Sequence, residues 1–404
     1  MLGLSFAGAK LGDPTTYEFH GKQKQARSMS LALRDLIPEV KTIKVFVTPS
    51  ARETWAKQLP IEFFEMVDIP DGSTEKQLWT IFDTIIDAVP EPAPPVVFDV
   101  THSFRSIPVI SLLAIAYLRA VRDVRVEKLL YGAFDASKPN AHGINITPVF
   151  DLTPMTLLLD WLEAANAFRT SLDGSLLSRM LKEIQNNAYR DNRPNAPKNL
   201  VKVGTQIDAL TRALRLARVR EVINVAPHTR DKLNTDTLVK EADTWAKPFN
   251  VIRPKLMETI ENIGTSGDEK NLETHLNLAK LYSKRKLYME SLSVLREWIV
   301  SHGCVLANKS NDVFKKKVRE EVEDALNSAN PWRKSKDEQT VPKWTQTSNG
   351  KELVKLFSKV GQVRNDVDHI GMRQDPDRAE KIEKKVNKYI CKALDLNKML
   401  KTDC

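Results

Sequence analysis

The chain has 404 residues, an ordinary hydrophobic share of 42% and a formal net charge of +9. That length is enough for two or three domains with buried cores. No apolar run approaches the roughly 20 residues that cross a bilayer, so we expect no membrane segment. The three cysteines are widely spaced and match neither a disulfide framework nor a zinc pattern, which indicates a reducing, cytoplasmic setting.

The first 150 residues alternate short apolar runs with helical patterns. The predicted strands are Leu2–Ala7, Ile43–Thr48, Phe63–Ile69, Val96–Val100, Lys128–Phe134 and Ile146–Phe150. The predicted helices are Gln23–Leu36, Ala51–Leu59, Thr74–Val89 and Phe104–Val121. Strands that alternate with helices predict an α/β domain with a mostly parallel sheet covered on both faces. The last strand follows a turn-rich loop, so we expect it to pair antiparallel with its predecessor.

Three loops follow predicted strands, where ligands of doubly wound sheets bind. Gly8-Ala9-Lys10 offers close backbone approach and a charge, and Thr48 begins the second loop. The third loop runs from Asp99 and holds Thr101, His102, Ser103 and Arg105. Its hydroxyls, imidazole and guanidinium suit a phosphate or a nucleobase. An alternative is that Asp99 and Thr101 cap the next helix while Arg105 pairs with an acidic neighbour. The glycine spacing does not match a dinucleotide fingerprint, so we do not expect NAD.

Helical periodicity dominates from about residue 154. The predicted helices are Thr156–Thr170, Leu176–Tyr189, Leu200–Val225, Thr235–Ile263, Leu272–Ser283, Met289–Val300 and Pro376–Leu400. The polar, lysine-rich stretch Asn308–Gly350 predicts a solvated insertion. Residues 1–150 hold 16 Lys and Arg against 17 Asp and Glu, and the remaining 254 residues hold 45 against 35. Any attraction for a polyanion therefore lies in the C-terminal part.

The segment Arg364-Asn365-Asp366-Val367-Asp368-His369 contains the groups that cleave RNA without a metal ion. A histidine can accept the 2′-hydroxyl proton, and an arginine can hold the phosphate as it gains charge. On one helix a five-residue step separates the two side chains by about 140°. Two such helices related by a two-fold axis can face one cleft. The alternative is a solvated arginine and a partly buried histidine, and a second spacing of this kind occurs at Arg296 and His302.

These two ends of the chain together resemble the CARF–HEPN ribonucleases, accessory effectors of type III CRISPR immunity. The segments that carry the resemblance are FAGAKLGDPTTYEFHGKQ, DVTHSFRSIP, LAKLYSKRKLYMESLSVLREWIV and RNDVDH. It implies a Rossmann-like CARF domain over residues 1–153, a helical connector over 154–265 and a helical HEPN domain over 266–404. Ser103 stands where the family signature has Gly, and Gly-Ala-Lys stands where it has Gly-Thr-Gly. Both differences bear on the identity of the activator.

The resemblance also implies a homodimer that binds a cyclic oligoadenylate, with cyclic tetra-adenylate favoured, and cleaves single-stranded RNA. It implies no other cofactor and no metal. The implied ligand-binding residues are Gly8, Ala9, Lys10, Thr48, Thr101, His102, Ser103 and Arg105. The implied catalytic residues are Arg364, Asn365 and His369, and the implied product is a 2′,3′-cyclic phosphate.

Three other hypotheses remain open. In the first, the CARF domain itself slowly cuts the cyclic ligand, with His102, Ser103 and Lys10 supporting attack by a ligand 2′-hydroxyl. In the second hypothesis, the chain is a non-enzymatic, ligand-responsive nucleic-acid-binding regulator that uses the basic helices around Arg212–Arg220. A metal nuclease built on Asp366, Asp368 and His369 is disfavoured, because two carboxylates two residues apart diverge on a helix.

Overall fold

The computed structural model describes most of the chain. The described residues are 1–57, 62–102, 106–141, 143–264, 266–330, 341–372 and 374–402. They form two compact units, Met1–Asp160 and Trp161–Cys404. None of the helices in these ranges combines the length and the apolar character that crossing a bilayer requires.

The first unit is built on one mixed, mostly parallel sheet. Its strands are β1 (Leu2–Phe6), β2 (Thr15–Phe19), β3 (Lys22–Ala26), β4 (Thr42–Val47), β5 (Phe64–Asp68), β6 (Val96–Asp99), β7 (Val126–Gly132), β8 (Lys138–Pro139) and β9 (Asn145–Asp151). The strand order is β3-β2-β9-β7-β6-β1-β4-β5, with β8 paired to β9. The five strands from β5 to β7 run parallel, in a Rossmann-like order. The prediction that the final strand pairs antiparallel with its predecessor is confirmed by the β7–β9 register.

Helices cover both faces of this sheet. They are α1 (Met29–Leu36), α2 (Pro49–Ala56), α3 (Glu75–Asp87) and α4 (Ile107–Arg122). One apolar cluster includes Ile81 and Ile115, and another includes Leu33 and Trp55. The strands between these two layers are almost continuously apolar because both of their faces are buried. The α/β class predicted from the sequence is therefore confirmed. The helix ends predicted at Leu59 and Phe104 lie outside the described residues.

The predicted helix Gln23–Leu36 is wrong in its first part. Residues Lys22–Ala26 form β3, which pairs antiparallel with β2 through a turn in which His20 and Gly21 have positive φ angles. Helix α1 begins only at Met29, where the Ser28 side chain accepts a hydrogen bond from the backbone of Leu31. β3 is mostly polar and lies at the sheet edge, so side-chain periodicity does not reveal its backbone pairing.

The second unit is helical. Its helices are the end of α5 (Thr153–Ser171), α6 (Ser175–Arg190), α7 (Leu200–Arg215), α8 (Val219–Leu233), α9 (Asp236–Trp245), α10 (Lys247–Ile263), α11 (Leu272–Lys284), α12 (Tyr288–Leu306), α13 (Lys316–Ser328), α14 (Ser348–Asp368) and α15 (Ala379–Thr402). One continuous core runs from Trp161 to Leu396. The predicted division of this part into a connector and a catalytic domain stays a prediction, and Thr265 at that boundary lies outside the described residues.

The helical unit differs from the prediction in two helix breaks and one additional helix. The single helix predicted over Leu200–Val225 is two helices, with Ala217 at a positive φ angle between them. The helix predicted over Thr235–Ile263 is interrupted at Ala246. The polar stretch contains α13, which buries Val322 and Leu326 in the core, so the interpretation of this part as a solvated insertion is wrong. Helix α13 has few apolar residues, and its packing partners are distant in sequence.

Candidate functional site

The first group of predicted site residues lies at the carboxyl edge of the parallel sheet. β1 and β6 are neighbours in the sheet, with Ser5 aligned to Asp99. The chain leaves β1 at Gly8 and leaves β6 at Thr101 and His102, so these two loops lie side by side. A Cβ atom built on Gly8 would stand 3.8 Å from Cβ of His102. The strand order reverses between β1 and β6, which is where ligands of doubly wound folds bind.

A buried hydrogen-bond network holds the second of these loops. Asp99 is fully buried, and its Oδ2 accepts a hydrogen bond from the Ser5 hydroxyl at 2.5 Å. Its Oδ1 accepts from the backbone N–H of Thr101 at 3.0 Å and from the Thr101 hydroxyl at 2.5 Å. The Thr101 hydroxyl in turn accepts from the N–H of Gly132 at 2.8 Å. Asp99 and Thr101 therefore position the loop, and the Thr101 hydroxyl is already engaged within the fold.

His102 is fixed through one ring nitrogen. Its Nε2 lies 3.3 Å from the backbone nitrogen of Met29, which donates, and 3.2 Å from the Tyr17 hydroxyl. Burial lowers the pKa of His102, and the nearby charge of Asp99 opposes that shift. An Nε2 that accepts from a backbone N–H places the ring proton on Nδ1. In this tautomer Nδ1–H is a hydrogen-bond donor and the basic nitrogen, Nε2, is already engaged, so the ring has no free nitrogen to act as a base on a ligand.

The remaining residues of this group differ in accessibility. The Gly8 carbonyl accepts a hydrogen bond from Trp55 Nε1 at 2.9 Å, which anchors the first loop, while Ala9 and Lys10 are exposed. Thr48 is buried, with its hydroxyl 3.0 Å from that of Ser50. Ser103 and Arg105 lie outside the described residues. The anchoring role of Trp55 has no signal in the sequence, because its contact spans 47 positions.

The second group of predicted residues lies at the end of α14. Arg364 is half-buried, and its Nε is 3.4 Å from Oδ2 of Asp368. Asn365 and His369 are exposed. His369 is the residue that follows the last helical position, and its N–H donates to the Asn365 carbonyl at 3.2 Å. Helix α14 thus contains all of the Arg364–His369 motif except its last residue, and the imidazole of that residue is accessible.

Asp366 has a structural position within this motif. It is buried, and its Oδ2 accepts from the N–H of Asp377 at 2.9 Å. Its backbone carbonyl accepts from the N–H of Gly371 at 3.3 Å. Asp366 thereby fastens the connection between α14 and α15, whereas Asp368 is exposed. Within the described ranges, no group of three or more His, Cys, Asp or Glu side chains is arranged to hold a metal ion.

The second arginine–histidine spacing belongs to the interior of the helical unit. Arg296 contacts the carboxylates of Glu297 at 2.9 Å and Glu323 at 2.6 Å. His302 is buried, and its Nε2 lies 3.3 Å from Oδ1 of Asn397. Burial lowers the pKa of His302 to about 4. This pair fits the packing interpretation, in contrast to Arg364 and His369.

Most of the arginines in the basic helices of the regulator hypothesis are paired with carboxylates. The pairs are Arg212–Asp208, Arg215–Asp173 and Arg220–Glu269, while Arg218 is exposed. The Glu269 carboxylate also accepts a hydrogen bond from Asn224 at 2.6 Å. These paired side chains offer less attraction for a phosphate backbone than unpaired ones do.

The fold and the two groups of residues define a two-part protein. In the α/β unit, the loops after β1 and β6 lie where the strand order reverses, the usual ligand-binding position of such sheets. In the helical unit, an arginine, an amide and an imidazole lie at the end of α14. No protein-family model matches the chain. The chain is 25% identical, over 252 residues, to the CRISPR-associated protein MJ1674 of Methanocaldococcus jannaschii. That alignment covers 60% of this chain and 35% of the relative, so the chain spans about a third of the relative's length.

Proposed function

We propose that this protein acts in CRISPR defence as a metal-independent endoribonuclease that a cyclic oligoadenylate activates. The observation that carries the nuclease is the accessible end of α14, where Asn365 and His369 are exposed beside a half-buried Arg364. The similarity to a CRISPR-associated protein supports the setting. The resemblance of the DVTHSFR and RNDVDH segments to CARF–HEPN proteins supports the pairing of a ligand sensor with a nuclease.

The α/β unit would be the sensor. Gly8 allows close approach of a ligand to the backbone, and the exposed Lys10 supplies positive charge. The Asp99 network and the Met29 contact hold Thr101 and His102 in place before a ligand arrives. Such preorganisation favours binding because little freedom is lost when the ligand enters. Cyclic tetra-adenylate is the activator that we expect.

The helical unit would be the nuclease. His369 accepts the proton of a ribose 2′-hydroxyl, and the 2′-oxygen attacks the adjacent phosphorus. The bond to the 5′-oxygen breaks, that oxygen takes up a proton from a His369 imidazolium and leaves as a hydroxyl, and a 2′,3′-cyclic phosphate remains. Arg364 stabilises the charge that develops on the phosphate, and Asn365 orients it. Because Arg364 and His369 lie about 140° apart around one helix, two copies of the chain supply the complete site.

An apolar ridge on α4 supports the pairing of two copies. Val109, Leu113, Tyr117 and Val121 recur every four residues with exposed fractions of 60%, 58%, 43% and 59%. Soluble proteins rarely leave such a contiguous apolar strip in water. The ridge begins a few residues after His102, so a second copy packed on it across a two-fold axis would bring two copies of the ligand loop together. A cyclic ligand has the symmetry to contact both.

Cleavage of RNA in the presence of a chelator tests the nuclease. Cyclic tri-, tetra- and hexa-adenylate are added separately to purified protein and a labelled single-stranded RNA in EDTA. One of these activators should cause the RNA to be cut. Arg364→Ala and His369→Ala should each lower the rate by at least about 100-fold, the scale of a lost general base or a lost electrostatic stabiliser. Cyclic oligoadenylate binding should be unchanged in both variants.

His228→Ala is the matched control, because His228 is an exposed histidine of the same unit outside the motif. Its cleavage rate should equal that of the parent. Normal cleavage by His369→Ala in EDTA would refute the site assignment.

A further inference from the structure

The hairpin of α14 and α15 contains a cleft of about 170 Å³. Its charged lining comprises Lys355, Lys359 and Glu352 of α14 with Lys392 and Asp395 of α15, so three ammonium groups face two carboxylates. Its inner wall includes the buried Leu356 and Leu396. Lysines from two packed helices thus outnumber carboxylates around an apolar depression.

Two of these lysines have no counter-ion in the part of the chain that the structure describes. The ammonium of Lys355 is 2.7 Å from Glu352 at one end of the cleft. No described carboxylate oxygen lies within 4.0 Å of the Lys359 or Lys392 ammonium. Asp395 also lines the cleft, but its ion pair is with Lys398 at 4.0 Å. Two lysines without a close counter-ion raise the positive potential of the cleft, and an anion there would relieve their repulsion.

One face of α14 connects the cleft with His369. Lys355, Gln362 and His369 are spaced by seven residues, and each such step turns about 700°, only about 20° short of two full turns. They therefore lie on one stripe of the helix, and each step advances about 10 Å along the axis. The exposed Asp368 lies off this stripe. A strand that entered at the cleft would meet an amide and then the imidazole.

Helix α15 adds a second row of charge in the same direction. Lys388 is four residues before Lys392, and so lies on the same face of the helix. It is exposed, and no described carboxylate oxygen lies within 4.0 Å of its ammonium. α15 begins at Ala379, after the connection that follows His369, so the row runs from the cleft toward that connection.

We propose that this cleft is a phosphate-binding groove that guides single-stranded RNA to Arg364 and His369. The proposal rests on the proposed nuclease function and names the path of its substrate. Flexible ammonium groups on two helices bind phosphates regardless of sequence. Binding through them is therefore salt-dependent, and the groove favours no particular base.

The test measures RNA affinity separately from cleavage. In a His369→Ala background with cyclic tetra-adenylate present, a fluorescein-labelled single-stranded RNA is titrated by anisotropy between 50 and 200 mM NaCl. Adding Lys359→Ala with Lys392→Ala should weaken binding and reduce the slope of log K against log salt by about 1.4, because single strands release about 0.7 counterion per neutralised phosphate. Adding Lys315→Ala with Lys316→Ala removes the same charge at the start of α13 and should leave the slope unchanged.

The outcomes separate the groove from the nuclease. If the parent chain cuts RNA but the two double variants have the same salt slope, the groove is refuted and the nuclease stands. If the parent chain cuts no RNA but only Lys359→Ala with Lys392→Ala weakens RNA binding, the groove stands and the nuclease is refuted. Lysine-dependent binding of polyglutamate without any binding of RNA would overturn the groove, since the surface would then fit an acidic polypeptide.

Discussion

Two histidines of the helical unit differ in environment rather than in chemistry. His369 follows α14 and is exposed, whereas His302 lies inside the core, where its ring packs edge-on against Trp298 at a centroid distance of 4.4 Å. Both follow an arginine by five or six residues, so local sequence does not separate them. Burial makes His302 a neutral packing group. Exposure leaves the His369 imidazole accessible to a substrate.

The buried His302 predicts a pH dependence of stability. Burial lowers its pKa to about 4 in the folded chain, from an ordinary value of 6.5. The unfolded chain therefore binds a proton between these values while the folded chain does not. The stabilising contribution is fully present above about pH 6.5 and is lost as the pH falls toward 4. His302→Gln should therefore reduce the loss of unfolding free energy between pH 7 and pH 4.5 by about 2 kcal/mol.

Urea unfolding followed by tryptophan fluorescence at the two pH values measures this effect. His228→Gln, at an exposed position of the same unit, should retain the full pH dependence of the parent. Equal pH dependence in His302→Gln and the parent would show that this imidazole does not change its protonation on unfolding. His275, whose pKa burial also lowers, should leave some pH dependence in every variant.

At the scale of elements, α14 is held at its first turn by a close backbone approach. The Thr347 side chain accepts a hydrogen bond from the N–H of Gly350 at 3.0 Å. A Cβ atom at Gly350 would stand 2.0 Å from the backbone carbonyl oxygen of Trp344. Only glycine allows this approach without movement of the backbone. The turn thereby sets the start of the helix that carries Arg364 and His369.

Gly350→Ala should therefore destabilise the helical unit. The contact is with backbone, which cannot rotate away, so we expect a loss of about 1–3 kcal/mol in the free energy of unfolding. Gly361→Ala is the matched substitution on the same helix, with no neighbouring atom within 4 Å of the added Cβ. It should be neutral or stabilise by up to about 1 kcal/mol, because alanine is the better helix former. Thermal unfolding of both variants measures this difference. Equal shifts of the two unfolding midpoint temperatures would contradict the proposed role of Gly350.

At the scale of the whole molecule, we expect the apolar ridge of α4 to hold two copies together. Leu113→Glu places a charge at the middle of the ridge, and burying an unpaired carboxylate in an apolar interface is costly. The variant should be monomeric at concentrations where the parent is a dimer, as measured by light scattering after size-exclusion chromatography. It should also lose activation by cyclic oligoadenylate.

Asp83→Lys, on the neighbouring α3, is a suitable control for a charge change outside the ridge. It should leave the dimer intact. A parent chain that is monomeric at all concentrations would contradict the proposed pairing, as would a Leu113→Glu variant that remains a dimer.

Much of the α/β unit could be predicted from its sequence. The apolar runs that became β1, β4 and β6 lie in a sheet covered on both faces, and each such strand is apolar regardless of its neighbours. The β2–β3 hairpin could not be predicted in this way. Its stability depends on backbone pairing at a polar edge, and that pairing leaves no period in the side chains.

The sequence by itself determined the α/β class, the helical second part and the positions of two arginine–histidine spacings. Only the tertiary structure decided that His302 is buried and His369 exposed, and that the hydroxyl of Thr101 is held by Asp99. The same is true of the cleft that joins Lys359 to Lys392. The physical reason is the range of the interactions. Periodicity follows from residues a few positions apart, whereas burial and counter-ions depend on segments that folding brings together from distant parts of the chain.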